Sequence, residues 1–257
     1  MSEILHSHRE FAVGKSTVQV GFTNSAAGNL GLHVGENPVA VLRNRKRLEQ
    51  QLGLGERRFV YLNQVHGTDV FDADISSVAT AGAETEAEAE RVRDAAPVAD
   101  AAVTTSGVPL AVMVADCIPV VLVGETDEHQ PVLAVAHAGR RGLLDGVLEA
   151  TVEKMVERGA ANIQAWLGPS ICGSCYEVPV EMRDESSRSL PAVYAETSWH
   201  TPALNLPAGA AAVLESHQAV TRVHHDFADC TLENSGLFSH RRGEPLGRIA
   251  GLVWIEK

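Results

Sequence analysis

Leu110-Ala111-Val112-Met113-Val114-Ala115-Asp116-Cys117-Ile118-Pro119-Val120-Val121-Leu122-Val123 holds two apolar runs around a polar break, and a third run, 132–136, ends in His137. The runs are short, rich in β-branched residues and bounded by Asp, Pro and Gly. Such runs read as buried strands, because a helix needs about ten or more residues at 3.6 spacing. The pattern therefore predicts a sheet with Cys117 and His137 at strand ends. A thiolate and an imidazole at a sheet edge suit a borderline metal such as zinc. His66, in Asn63-Gln64-Val65-His66-Gly67, is a natural third ligand. Three protein ligands leave one coordination position open, which suits catalysis. The same residues also fit plain packing, since free Cys is among the most buried residue types and these positions lie much farther apart than the paired ligands of zinc fingers. Spacing alone leaves both readings open.

Outward from this stretch the chain reads as mixed α and β without repeats. Residues 18–22 and 59–62 are expected strands. Asn37-Pro38 supplies a cap and a first-turn proline for a helix through about Leu52, which Gly53 ends. Leu143, Leu144, Val147, Leu148, Thr151, Val152, Met155 and Val156 form a stripe at three- and four-residue spacing, so one amphipathic helix is predicted there, ending before Gly159. A short strand at 165–167, a helix near 208–219 and a closing strand at 249–255 follow. The Ala/Glu-rich segment 79–97 has few large apolar residues to bury, and reads as a surface insertion, either solvated helix or loop.

At 257 residues and 45% hydrophobic composition the chain can bury a substantial core. No apolar run approaches the roughly 18 residues of a membrane span, and the first ten residues lack an apolar signal core, so no membrane association and a cytoplasmic location are expected. A net charge of −12 argues against electrostatic nucleic-acid binding, which needs a basic surface to replace counterions. It does not exclude a small anionic substrate, because local arginines can reverse the field inside a cleft. The four cysteines, Cys117, Cys172, Cys175 and Cys230, are expected as thiols, ligands or core residues rather than disulfides.

Gly139-Arg140-Arg141-Gly142 joins a strand to the helix expected from Leu143. Backbone N–H groups at a helix start favour anions, and Arg141 could hold phosphate there through paired hydrogen bonds. Cys172-Gly173-Ser174-Cys175 has the spacing of a redox or zinc pair, but one pair alone is weak, and a part in shaping a pocket wall is expected. Arg241, Arg242 and Arg248 could add charge to the same cleft or be ordinary surface residues. The adjacent His224-His225 reads as solvated or packed.

Several motifs in order carry a family resemblance: Asn29-Leu30-Gly31-Leu32-His33, Asn63-Gln64-Val65-His66-Gly67, Asp100-Ala101-Ala102-Val103-Thr104, Asp116-Cys117-Ile118-Pro119, His137-Ala138-Gly139, Gly168-Pro169-Ser170-Ile171 with Cys175-Tyr176-Glu177-Val178, and Phe238-Ser239-His240-Arg241-Arg242. The chain resembles the YfiH family, also called laccase-domain or polyphenol-oxidase-like. The resemblance implies a single α+β domain over 1–257 with mixed sheets in a four-layer α/β/β/α arrangement, related to a toxin deamidase fold. It implies a purine nucleoside phosphorylase acting on adenosine, inosine and methylthioadenosine, with adenosine deaminase activity, on purine nucleosides and phosphate as partners, in a monomer or homodimer. It carries the metal ligands onto His66, Cys117 and His137, with zinc expected and copper the alternative. Arg141 matches the family's arginine and Arg140 replaces its Trp; His240 stands where Tyr is usual. Asp116 and Glu177 are candidates for proton transfer, and Asn29, His33 and Gln64 for ribose or base contacts. Two other classes stay open: a copper-dependent phenol oxidase, although the sequence lacks the clustered His-x-His pairs of a multinuclear copper site, and a metal-free cysteine hydrolase using Cys117 as nucleophile and His137 as base.

Overall fold

The computed structural model describes residues 3–35, 37–75 and 85–256. The chain begins β1 (Leu5–Val13), β2 (Ser16–Thr23), α1 (Pro38–Gln51), β3 (Val60–Tyr61), β4 (Val70–Asp72) and α2 (Glu86–Asp94). Its middle is β5 (Ala101–Thr104), β6 (Leu110–Val114), β7 (Ile118–Glu125), β8 (Pro131–Ala138), α3 (Arg140–Asp145), α4 (Val147–Glu157) and β9 (Ala161–Leu167). It closes with α5 (Val180–Ser189), β10 (Tyr194–Glu196), β11 (Pro202–Leu204), α6 (Leu206–Ser216), β12 (Val220–His224) and β13 (Ile249–Ile255).

Two mixed sheets form, one in the order β1-β2-β13-β6-β3 and one in the order β12-β9-β7-β8-β5-β4, with β10 and β11 paired apart. The runs that decided the sequence reading are the inner strands β6, β7 and β8, and their residues are buried almost throughout because both faces are covered. Val121, Val123, Leu133, Val135 and Trp166 face Val20, Phe22, Val112 and Val253 across the gap between sheets. The alternate residues Val120, Leu122, Ala134 and Ala136 pack outward on Leu148, Val152, Met155 and Leu214 of α4 and α6. On the opposite side, Leu48 of α1 covers Tyr61, Ala111, Leu252 and Trp254. The layers are therefore α/β/β/α in a single mixed α+β domain. Gly168 is required where the sheets approach, because a Cβ there would overlap the Phe22 ring.

The predicted helix from Leu143 is two helices. It starts three residues earlier, at Arg140, and Gly146 breaks it in the left-handed region (φ 100°), donating its N–H to the Gly142 carbonyl as a C-cap. The hydrophobic stripe persists across the break, so periodicity could not reveal it. Of segment 79–97, residues 79–84 lie outside the described residues. The remainder holds α2, started by a capping box in which Thr85 Oγ1 accepts from Glu88 N–H and Glu88 accepts from Thr85 N–H. Ala89 is fully buried, so this helix packs rather than standing free in solvent.

Candidate metal centre

The ligand atoms of His66, Cys117 and His137 all lie within 4.8 Å of one another. Cys117 immediately precedes β7 and His137 is near the end of β8; antiparallel pairing sets Ile118 opposite Ala138 and Pro119 opposite His137, so one hairpin delivers both. His66 comes from the connection between β3 and β4. Its Nε2 lies 3.6 Å from Cys117 Sγ, and its ring meets that of His137 edge-on at 4.6 Å.

His66 adopts a left-handed backbone (φ 61°), unusual for a residue with a Cβ. The fully buried Asp100 carboxylate holds it there. Oδ1 accepts the His66 N–H at 2.9 Å, and Oδ2 accepts those of Val65 at 3.1 Å and Gly67 at 2.7 Å. Oδ1 also accepts from His137 Nδ1 at 2.8 Å. An ionised carboxylate only accepts, so the His137 proton sits on Nδ1 and Nε2 points toward the centre as a potential ligand. Asp100 thus aligns two of the three candidate ligands.

The electrostatics follow from this geometry. Burial would raise the Asp100 carboxyl, but the His137 and backbone hydrogen bonds outweigh it and hold it below the usual range. Burial likewise pushes the Cys117 thiol up, yet His137 and His66 together bring it down to about 6. Burial disfavours a charged His137, while Asp100 and Cys117 raise it to about 9. In the metal-free centre the shifts thus favour the charged forms of all three groups: Asp100 and Cys117 lowered, His137 raised.

The turn 139–142 runs directly against His66 and Cys117. A Cβ on Gly139 would lie 2.5 Å from His66 Cδ2 and 3.1 Å from Cys117 Sγ, and one on Gly142 would lie 2.9 Å from the Gly67 carbonyl. Arg140 and Arg141 occupy the first turn of α3, a helix of six residues. Arg141 is exposed, whereas Arg140 is half-buried and its charge acts on the Tyr176 phenol, whose pKa is raised first by burial and then by Cys117. Arg241 sits 5.2 Å over the Tyr176 ring and donates to the Glu177 carbonyl at 2.9 Å. Arg248, its own pKa lowered by burial, feels the charges of Cys117 and Asp116. Arg242 turns away, donating to the carbonyls of Thr231, Leu232, Asn234 and Leu237.

The other expected site residues are placed as follows. Asp116, with a left-handed backbone (φ 84°), accepts from Thr231 Oγ1 at 2.6 Å and from Arg241 N–H at 2.7 Å, tying two loops to the residue before Cys117. Buried Asn29 donates to the Gly31 and Val34 carbonyls and accepts from the N–H groups of Gly31 and Arg248, bracing its own loop. Gln64 clamps Met113 by exchanging two hydrogen bonds of 2.8 Å with its backbone. His33 lines a cavity of about 190 Å³ with Arg45, Tyr61, Arg93 and Asp94. Its pKa is lowered by burial, then by Arg248, Arg45, His137 and His66, which sets this cavity beside the centre. Glu177 is exposed and accepts from Trp199 Nε1 at 2.8 Å. Asp100 and Tyr176 were assigned no role from sequence. An Asp opening the wholly buried strand β5 was the available signal, since a buried charge demands partners.

A sequence-family profile described as "Multi-copper polyphenol oxidoreductase laccase" matches residues 12–256. The chain belongs to this family. Among its curated relatives, this laccase-like chain is 45% identical to a purine nucleoside phosphorylase of Streptomyces coelicolor, over 89% of this chain and 88% of the relative. A solved Neisseria meningitidis protein shares its fold with a TM-score of 0.72 and 28% identity, over 97% of this chain and 99% of that one. YfiH of Bacillus licheniformis, at 24% identity and a TM-score of 0.73 over 93% of each chain, likewise has the fold. Among the described residues no helix is long and apolar enough to cross a membrane.

Proposed function

We propose that this laccase-like protein is a zinc-dependent purine nucleoside enzyme that phosphorolyses adenosine, inosine and methylthioadenosine to free base and (methylthio)ribose 1-phosphate and also deaminates adenosine to inosine. The observation that carries the reading is the open donor set of His66, Cys117 and His137 beside a rim of Arg140, Arg241 and Arg248. The relatives' names supply the substrate class. The donor set fits zinc: one sulfur already lowered toward thiolate and two imidazoles, one with its tautomer fixed by a buried carboxylate. These residues would hold zinc, which would supply a Lewis acid and lower the pKa of water at the open position toward neutrality.

The chain's own groups do the positioning. Guanidinium groups at the rim hold phosphate by paired charge-assisted hydrogen bonds, so that a phosphate oxygen forms the new bond to C1′ as the C1′–N9 bond breaks. Arg141, exposed in the same turn, steers the anion inward. In deamination, water adds at C6 and ammonia leaves. Asp116 orients the two loops, whereas the exposed Glu177 is the carboxylate open to proton exchange. His33, Asn29 and Gln64 shape the nucleoside side, His33 from within its cavity.

A metal-free cysteine hydrolase is the second reading, favoured by one specific observation: Cys117, His137 and Asp100 stand in the order of nucleophile, base and orienting carboxylate. The family description keeps copper oxidase chemistry as a third. One experiment separates them. Protein purified without added metal is analysed for zinc and copper, stripped with chelator and assayed without oxygen on adenosine with phosphate. Activity lost on stripping and restored by zinc is expected. Undiminished turnover in stripped protein would establish the cysteine mechanism, and phenol oxidation with oxygen uptake only after copper loading would establish the oxidase.

A further inference from the structure

Cys172 and Cys175 lie on the connection after β9, Cys230 and Glu233 on the connection after β12, and the ligand atoms of all four lie within 4.8 Å of one another. None belongs to the His66–Cys117–His137 set. The backbone imposes the convergence. Ser170 and Cys230 form a parallel bridge, with Ser170 N–H donating to the Asp229 carbonyl at 3.0 Å and Thr231 N–H to the Ser170 carbonyl at 3.1 Å. The Cys172 carbonyl accepts from the N–H of both Cys175 and Tyr176, a turn that brings the two sulfurs of the C-x-x-C pair to one side.

All three thiols are free, and Ile171, Tyr176 and Leu232 surround them with apolar surface. Cys175 and Cys230 are buried, Cys172 is half-buried, and Glu233 is exposed at the open side. Each of Cys172 and Cys175 has the other two thiols as side-chain hydrogen-bond partners, so the three sulfurs are in mutual contact. A cavity of about 490 Å³, lined by Cys172, Cys230, Ser170 and Asp229, gives an entry path from solvent.

We propose that Cys172, Cys175, Cys230 and Glu233 form a second, structural site for a thiophilic divalent cation of the zinc class. Three sulfurs select zinc over magnesium or calcium, and four protein ligands close the tetrahedron, as in structural rather than catalytic sites. Binding to three neutral thiols and an ionised carboxylate releases three protons to solvent, and no electron is transferred. Burial keeps the metal-free Cys172 and Cys175 thiols protonated. The ion would pin together the two loops that hold Asp116, since Ile171 N–H donates to its carbonyl at 3.0 Å and Thr231 to its carboxylate at 2.6 Å. The second site would thus brace the residue directly before Cys117.

The test uses the full chain carrying Cys117→Ala, which removes the first site's sulfur so that any thiolate signal belongs to the second. Cobalt(II) added without oxygen should bind at about one equivalent, giving a sulfur-to-cobalt charge-transfer band in the near ultraviolet that zinc abolishes. Adding Cys230→Ala should remove the band. Because that buried change could unfold the loop, exposed Glu233→Gln provides an independent arm and should weaken cobalt binding at least about tenfold with an unchanged circular dichroism spectrum. Absence of the band in Cys117→Ala protein, or a band that neither further change alters, would overturn the proposal. So would a thiol count on denatured, freshly purified protein that falls two short, because a disulfide would then occupy the ligands.

Discussion

Replacing Asp100 with Asn tests how much of the centre rests on one carboxylate. Asp100 accepts four hydrogen bonds, from the N–H groups of Val65, His66 and Gly67 and from His137 Nδ1, and it is fully buried. Asn keeps one accepting oxygen and turns an NH2 toward the remaining two donors, so two charge-assisted bonds are lost. At roughly 1.5–3 kcal/mol each the loss is about 3–6 kcal/mol, against a total stability of roughly 5–15 kcal/mol. A chain of this size shifts by about 2–4 °C per kcal/mol, so thermal melting in excess chelator at neutral pH should fall by about 6–24 °C. The acid limb should change too. A carboxyl whose folded pKa is depressed stabilises above its unfolded value, near 4, and that contribution is lost as pH falls through the folded value, so the variant should lose less stability on acidification than the parent. Zinc affinity should drop about 10–100-fold. A melting shift under about 2 °C with parental zinc affinity would show that the backbone holds His66 and His137 without this carboxylate.

Gly139→Ala should cut zinc affinity at least about tenfold while leaving melting of the metal-free protein nearly unchanged, because the added Cβ strikes the exposed His66 side chain rather than backbone. Parental zinc affinity by competition titration would contradict that. Arg140→Met and Arg141→Met separate phosphate binding from nucleoside binding: loss of a phosphate-holding arginine should lower phosphorolysis about tenfold or more and deamination less, with the half-buried Arg140 the more sensitive of the two. An equal fall in both activities at normal zinc content would assign the arginine to the nucleoside instead. Glu49 is buried against Arg58, and burial raises its carboxyl to about 7. Its stabilising contribution is full below the unfolded value near 4.3 and is lost as pH rises through about 7, so Glu49→Gln should flatten the melting temperature between pH 5 and 8. Parallel pH profiles for the two proteins would refute that.

The inner strands were legible because burial on both faces forces uninterrupted apolar runs, and β13 spans the residues expected of it. The α1 start was legible from Asn37-Pro38, whose side chain accepts from Val39 and Ala40 N–H. Peripheral elements were not. The edge strand β1 has irregular burial in place of alternation, α5 buries only Ser186, and β4 is three residues long, held by a parallel partner distant in sequence. The same distance hid the supports of the centre. Asp100 acts on residues 34 and 37 positions away, and the C-x-x-C pair is completed by a cysteine from another connection. Motifs gave the three candidate ligands, but only the topology shows what aims them.

The place of β13 has a consequence for biosynthesis. It lies at the middle of its sheet, and among the described residues the β1–β2 hairpin pairs with the rest of the sheet through β13 alone. Ala250 N–H donates to Thr23 Oγ1 across 227 positions of sequence. While the ribosome adds those residues, at about 5–20 per second, the amino-terminal hairpin waits roughly 10–45 s with an unpaired edge. Closure of this layer is therefore a late event governed by long-range pairing, the class of contact that slows folding most. Aggregation during synthesis should centre on the waiting edge of β2, and slower translation of the carboxy-terminal third should lengthen its exposure.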